Sequence, residues 1–141
     1  CIRDSDGDVA AAIAACLDES HVDLYAGSGG APEGVLAAAA VRSMGGQMQG
    51  RLMCENEEQG ARARKMDPGK DPTRKLGLHD MARGDVLFSA TGVTTGALLR
   101  GVKRLSPTSV RTHSIVMRSK SATIRFIEGR HDFSMKTWTA V

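Results

Sequence analysis

At 141 residues, with 41% hydrophobic and 25% charged side chains, the chain is long enough for one domain with a sizeable core and too apolar for intrinsic disorder. Aromatic residues make up only 4%, which argues against a base-stacking platform, and no apolar run approaches the roughly 18 residues needed to cross a bilayer, so neither nucleic acid nor membrane is an expected partner. The net charge of +3 hides an asymmetry: residues 1–50 hold seven acidic against two basic residues and residues 51–141 hold nine against seventeen, so the first third suits a cation and the remainder suits anions.

The chain opens on Cys1 and runs directly into a loop, with no initiator Met or signal segment, the form expected of a nicked or processed product. Cys1, Cys16 and Cys54 are odd in number and widely spaced, which provides neither a disulfide framework nor a thiolate metal site and predicts a reduced, cytoplasmic setting. Residues 8–19 are rich in Ala behind an acidic cap and predict a helix. A short strand is expected at 21–25, broken by Gly27, Gly29 and Gly30. Pro32 then starts a helix that runs to about residue 44, where Gly45 and Gly46 end it.

A strand over 47–54, a polar helix over 55–65, a Pro- and Gly-bearing surface connection over 66–75 and a short helix over 76–82 follow. Asp85–Ala90 predicts a buried strand emptying into the loop Thr91-Gly92-Val93-Thr94-Thr95-Gly96. Residues 112–118 and 122–127 are β-branched runs either side of Ser119-Lys120-Ser121, which predicts a hairpin or adjacent strand pair. Residues 130–141 read as a tail whose Phe133 and Trp138 pack onto the body. Helices and strands alternate and give way to a β-rich end, the order of an α/β or α+β sandwich.

Two constellations carry chemistry. In Asp4-Ser5-Asp6-Gly7-Asp8, three carboxylates in a flexible turn concentrate oxygen acceptors for a hard cation or for sugar hydroxyls, without the closing Glu of an EF-hand. In Gly27-Ser28-Gly29-Gly30-Ala31-Pro32-Glu33-Gly34, a glycine turn and a helix start aim unpaired N–H groups into one concavity suited to an anion. Glu33 would repel a phosphate bound there unless a divalent cation lies between them; alternatively it only complements the helix dipole. A dinucleotide fingerprint fits these glycines poorly, because Pro32 stands where a small residue belongs and no acid closes the next strand. The loop 91–96 offers hydroxyls for a site or an ordinary tight connection. His21, His79, His113 and His131 are isolated, so no zinc cluster and no Ser/His/Asp arrangement can be built.

With Asp6-Gly7-Asp8-Val9, Gly29-Gly30-Ala31-Pro32-Glu33-Gly34-Val35 backed by Gly45-Gly46, Gly84-Asp85-Val86 with Ala90-Thr91-Gly92-Val93-Thr94, and Thr112-His113-Ser114 with Met117-Arg118-Ser119-Lys120-Ser121, the sequence resembles the class II, GlpX-type fructose-1,6-bisphosphatases. The motifs keep the family order over most of the chain. The resemblance implies a layered α/β sandwich of the metal-dependent, lithium-sensitive sugar phosphatase type, with this chain as its C-terminal portion. The sugar and metal loops would lie in residues 1–46 and a β-rich segment in 85–130.

The resemblance further implies hydrolysis of the 1-phosphate of fructose 1,6-bisphosphate to fructose 6-phosphate and inorganic phosphate, with Mn²⁺ or Mg²⁺ as cofactor. Carried over, Glu33 is the metal-coordinating carboxylate and acts in catalysis through the metal; Asp6, Gly7, Asp8 and Gly30 contact the substrate. Family members draw most metal carboxylates from an N-terminal half, so a companion polypeptide carrying that half is expected, and a homo-oligomer of the complete enzyme. Alternatives are action on sedoheptulose 1,7-bisphosphate as well, another small phosphomonoester as substrate, or a non-enzymatic sugar-phosphate sensor. Ser28, where the family often has an aliphatic residue, and Thr95, where it commonly has an acid, depart from the pattern.

Overall fold

The computed structural model describes residues 8–136, the side chain of Asp8 excepted. Helix α1 spans Asp8–Ala14 and is shorter than the predicted 8–19. Its end is local chemistry: the Ser20 hydroxyl donates to the Ala14 carbonyl, satisfying a helix-end acceptor from outside the helix. A 3₁₀ turn at Asp18–Ser20 closes on His21 in the left-handed region, φ 54°. The expected strand at 21–25 is absent from the structure: residues 21–30 carry no regular structure and are largely exposed, and Leu24 is 82% exposed. A strand requires a ladder partner, and none of the described strands pairs with this segment.

Helix α2, Ala31–Ser43, has Pro in its first turn and Gly30 as its N-cap, close to the predicted start. Gly45 follows its end at φ 75°, a conformation that disfavours any side chain. Ser43 is fully buried, and its hydroxyl donates to the Ala39 carbonyl at 2.9 Å, which is how a polar side chain sits inside the core at no hydrogen-bonding loss. The Arg42 guanidinium donates to the Ala82 carbonyl and ties the end of α2 to the far side of the chain.

The predicted strand over 47–54 shrinks to β1, Gln49–Gly50, paired antiparallel with β2, Leu76–Gly77. Polar Gln and Gly carry the pairing, while Leu52 and Met53 on the remaining stretch stay exposed. Helix α3, Glu57–Met66, is the predicted polar helix. Asn56 Oδ1 accepts from the Gln59 N–H at 2.9 Å and Gln59 Oε1 accepts from the Glu55 N–H at 2.9 Å, a reciprocal cap that explains its start. Helix α4, Leu78–Met81, is one turn that follows β2 directly, so the helix expected over 76–82 is half strand.

Strands β3 (Leu87–Thr91), β4 (Lys103–Arg104), β5 (Ser109–Arg118) and β6 (Thr123–Asp132) form one antiparallel sheet. β6 pairs with β5 over its whole length, from Ser109 opposite Asp132 to Arg118 opposite Thr123. The other edge of β5 is shared: β3 pairs with residues 114–118 and β4 with Val110 and Arg111. The predicted hairpin around Ser119-Lys120-Ser121 is thus present, with a 3₁₀ turn at its tip. It is longer than expected, since residues 128–129, beyond the predicted strand, and 130–132, read as tail, are strand.

The core lies between this sheet and helices α1 and α2. Ile13 of α1 and Ala40 of α2 pack with Phe88, Leu99, Ile115 and Met117, and a second cluster joins Ala12, Ala37 and Val41. Phe88 faces Met117 across the β3–β5 ladder and Ala90 faces Ile115, so one face of the sheet supplies the apolar layer while alternate residues point away. This is a mixed α/β architecture with helices layered on a sheet, as the sequence predicts. Ala is common on the helix side because aliphatic and small residues replace aromatics, and it lets α1 and α2 approach closely. The helices do not reach β6, where Ile124 and Phe126 remain 37% and 51% exposed on that same face.

Candidate functional site

The glycine turn delivers Glu33 to the first turn of α2. Its carboxylate is exposed and folds back over Gly30: a Cβ placed at Gly30 would fall on Glu33 Oε2. A side chain at Gly30 would thus displace that carboxylate, while the backbone itself, at φ −64°, is open to any residue. The Gly34 N–H donates to the Gly30 carbonyl at 3.0 Å, so the helix ladder begins at the residue beneath the carboxylate. The arrangement brings together Gly30 and Glu33 of the sequence-predicted set. Asp6 and Gly7, with Asp4, lie outside the described residues, as does the side chain of Asp8, whose backbone opens α1. Trp138 lies outside them too.

Among the described residues, no three His, Cys, Asp or Glu side chains converge as a metal cage. Glu33 fits a divalent cation as a single exposed oxygen donor and no more. Beneath the turn, residues 21–27 overhang α1 and the end of α2 across a cavity of about 1060 Å³ that includes Cys16, Asp23 and Tyr25. Burial pushes the Cys16 thiol up from its ordinary value, which keeps it protonated and unreactive at neutral pH.

The other motif segments meet at the sheet. Ser119 bonds Val86 twice, its N–H donating to the Val86 carbonyl at 2.9 Å and its hydroxyl accepting from the Val86 N–H at 2.8 Å. Lys120 lies 3.8 Å from Asp85. Ser119 and Lys120 thus fasten the start of β3 to the tip of the β5–β6 hairpin. The hydroxyls of Thr91 and Ser114 lie 2.9 Å apart across the ladder. The loop after β3 closes on itself: Val102 N–H donates to the Val93 carbonyl at 3.1 Å and Gly101 N–H to Thr95 Oγ1 at 3.0 Å. A Cβ on Gly101 would lie 2.7 Å from Thr95 N and 2.9 Å from the Val93 oxygen, so the backbone crosses there only because the residue is Gly.

Sequence reasoning missed a basic cavity of about 560 Å³ between that loop and β5. Arg100, Lys103, Arg104 and Arg111 line it with one carboxylate, Glu128. Glu128 holds two of the four: Arg100 Nη2 at 2.9 Å from Oε2 and Arg111 Nε at 3.4 Å from Oε1. His113 Nδ1 accepts from the Arg100 N–H at 3.2 Å and the ring stacks on Phe126 with centroids 5.8 Å apart, so His113 braces the wall. The density of basic residues over 100–111 was the available signal, but only the strand register gathers them.

A separate charged cluster orders the 67–80 connection. Lys70 and Arg74 lie 3.3 Å from Asp67, and Arg74 lies 3.7 Å from Asp80. The Lys70 hydrogen bond, with Arg74, holds Asp67 below the usual carboxylate value. The Thr73 N–H and hydroxyl do so for Asp71, and the Gly77 N–H for Asp80.

Residues 3–131 match the family model described as bacterial fructose-1,6-bisphosphatase, glpX-encoded. The chain is 42% identical over 145 aligned residues to the fructose-1,6-bisphosphatase 1 class 2 of Escherichia coli K12. Identity is the same to the fructose-1,6-bisphosphatases class 2 of Escherichia coli O6:H1 and Shigella flexneri. In each case the match covers 93% of this chain and 42% of the relative, so the chain spans about two-fifths of the length of the curated relatives it matches.

Proposed function

This chain belongs to the bacterial, glpX-encoded fructose-1,6-bisphosphatase family, and we propose that it is the C-terminal portion of an enzyme that hydrolyses the 1-phosphate of fructose 1,6-bisphosphate. The products are fructose 6-phosphate and inorganic phosphate, and the setting is cytoplasmic gluconeogenesis. Residues 1–46 carry the chain's share of the site and the β-rich 85–130 segment supports it. The observation that carries this reading is the Glu33 carboxylate, exposed and folded over Gly30 at the start of α2, in the glycine motif that the family match encloses.

In the proposed site Glu33 would hold Mn²⁺ or Mg²⁺, and Asp6, Gly7, Asp8 and Gly30 would contact the sugar. A divalent cation bound there supplies Lewis-acid polarisation of the phosphoryl oxygens and an acidified water. The chain's own part is positional. Gly30 leaves room for the carboxylate, and α2 fixes it on a helix rather than a free loop. The Asp pair accepts hydrogen bonds from sugar hydroxyls, which orients the ester.

One carboxylate cannot complete such a centre, so the proposal includes the N-terminal half of the same enzyme as partner, and a homo-oligomer of the whole. Two features support that partner: no three-ligand metal cluster forms among the described residues, and Ile124 and Phe126 stay partly exposed on the helix side of β6. The second marks a surface that lacks its covering layer. Replacing Glu33 with Gln keeps the shape and removes the charge. In the assembled enzyme, Glu33→Gln should raise the Mn²⁺ concentration needed for half-maximal rate and cut turnover by about 10²-fold or more; unchanged metal dependence and turnover would overturn the assignment.

A further inference from the structure

We propose that the basic cavity between the 95–104 loop and β5 is a second binding site, for a small phosphorylated anion, distinct in composition from the Glu33–Gly30 turn. Its volume of about 560 Å³ falls within the roughly 300–1,000 Å³ of small-molecule sites. Four cations line it against one carboxylate, an excess that a single Glu128 leaves unneutralised.

The strand register is the decisive feature. Lys103 on β4 stands directly opposite Arg111 on β5, and Arg111 stands directly opposite Arg130 on β6. Directly opposed residues share a face, so three cations lie in one row across the sheet. Like charges in that position destabilise a sheet. A polyanion lying along the row converts the repulsion into charge-assisted hydrogen bonds.

The two arginines of the row are also held in place. Glu128 spaces Arg100 and Arg111 by binding one with each oxygen, and Arg130 Nε donates to Ser109 Oγ at 3.4 Å. Guanidinium groups fixed in this way suit the tetrahedral oxygens of a phosphate, and two or more phosphate groups suit the length of the row. The Thr95 hydroxyl, already accepting from Gly101 N–H, lines the cavity with its proton available to donate. None of these residues belongs to the motifs assigned to metal or sugar, so the inference does not depend on the proposed phosphatase activity.

The test is calorimetric titration of inorganic pyrophosphate into the full protein, joined to its amino-terminal portion and stripped of metal. Saturable binding is expected, weakened at least about tenfold by Lys103→Gln with Arg111→Gln. Removing two of three facing cations should also raise the melting temperature without ligand, which checks that the variant folds, and should abolish the rise that pyrophosphate produces in the parent. Lys103→Gln alone, on the exposed two-residue β4, provides the milder variant. Equal affinity in parent and variants would place the bound pyrophosphate elsewhere and overturn the proposal, as would absence of saturable binding. Loss of association with the amino-terminal portion in the variant, with pyrophosphate affinity unchanged, would assign the row to a protein interface instead.

Discussion

Replacing Gly30 with Ala separates the site from the fold. The new Cβ falls on Glu33 Oε2, so the carboxylate must swing away from the helix start. The backbone tolerates the change, since φ −64° and ψ 150° are open to any residue. Losing Gly at an N-cap costs about 1 kcal/mol, and the less flexible unfolded chain returns about 0.4–1 kcal/mol. Net stability should therefore move by less than about 1 kcal/mol. A displacement of about 1 Å at a positioned group costs on the order of 10²-fold in rate, so Mn²⁺-dependent phosphate release from fructose 1,6-bisphosphate by the assembled enzyme should fall by about that factor. Gly34→Ala is the control for helix propensity: nothing lies within 4 Å of its added Cβ, and it should stabilise α2 by about 0.5–1 kcal/mol. Unaltered metal dependence and turnover in Gly30→Ala would refute the link between that space and Glu33.

Two further outcomes concern the scaffold. Gly101→Ala puts a Cβ 2.7–2.9 Å from the backbone of residues 93–95 and should destabilise by about 1–3 kcal/mol, seen as a melting temperature several degrees lower; an unchanged value would contradict the closed loop. Asp67, Asp71 and Asp80 are held below the usual carboxylate value in the fold, so their contribution is complete above the unfolded value of about 3.9 and is lost as pH falls through the lower folded values. The Thr73 and Gly77 amide resonances should accordingly titrate below about pH 4; a transition between pH 5 and 8 would show that other groups hold this segment.

Much of the scaffold was readable because its signals are local. Pro32 and the glycines around it bracket α2, the Asn56 cap starts a polar α3, and the β-branched runs around Ser119 make the hairpin. What failed depends on partners. Residues 21–25 have strand composition but no neighbouring strand among the described residues, and residues 47–54 pair only at Gln49 and Gly50. Conversely, residues 130–132 are Arg, His and Asp and look like tail, yet the ladder with β5 makes them strand. Register, not propensity, decides there.

The site divides in the same way. Gly30 and Glu33 are three positions apart within one motif, so their contact follows from the start of a helix. The basic cavity joins residues from 95–104, 111–113 and 128, which approach only after β4, β5 and β6 pair. No short-range pattern encodes that meeting, although the excess of basic residues over the last two-thirds of the chain was its shadow.

The most direct test of the central claim is Mn²⁺-dependent phosphate release from fructose 1,6-bisphosphate, measured on this chain alone and on the same chain combined with the N-terminal half, with the polypeptides in each sample identified by intact mass. The account predicts release from the combined sample and none from the 14.9 kDa chain by itself. Release by the isolated chain would contradict the incomplete metal centre, and a folded, metal-loaded complex of both halves that releases no phosphate would contradict the bisphosphatase assignment.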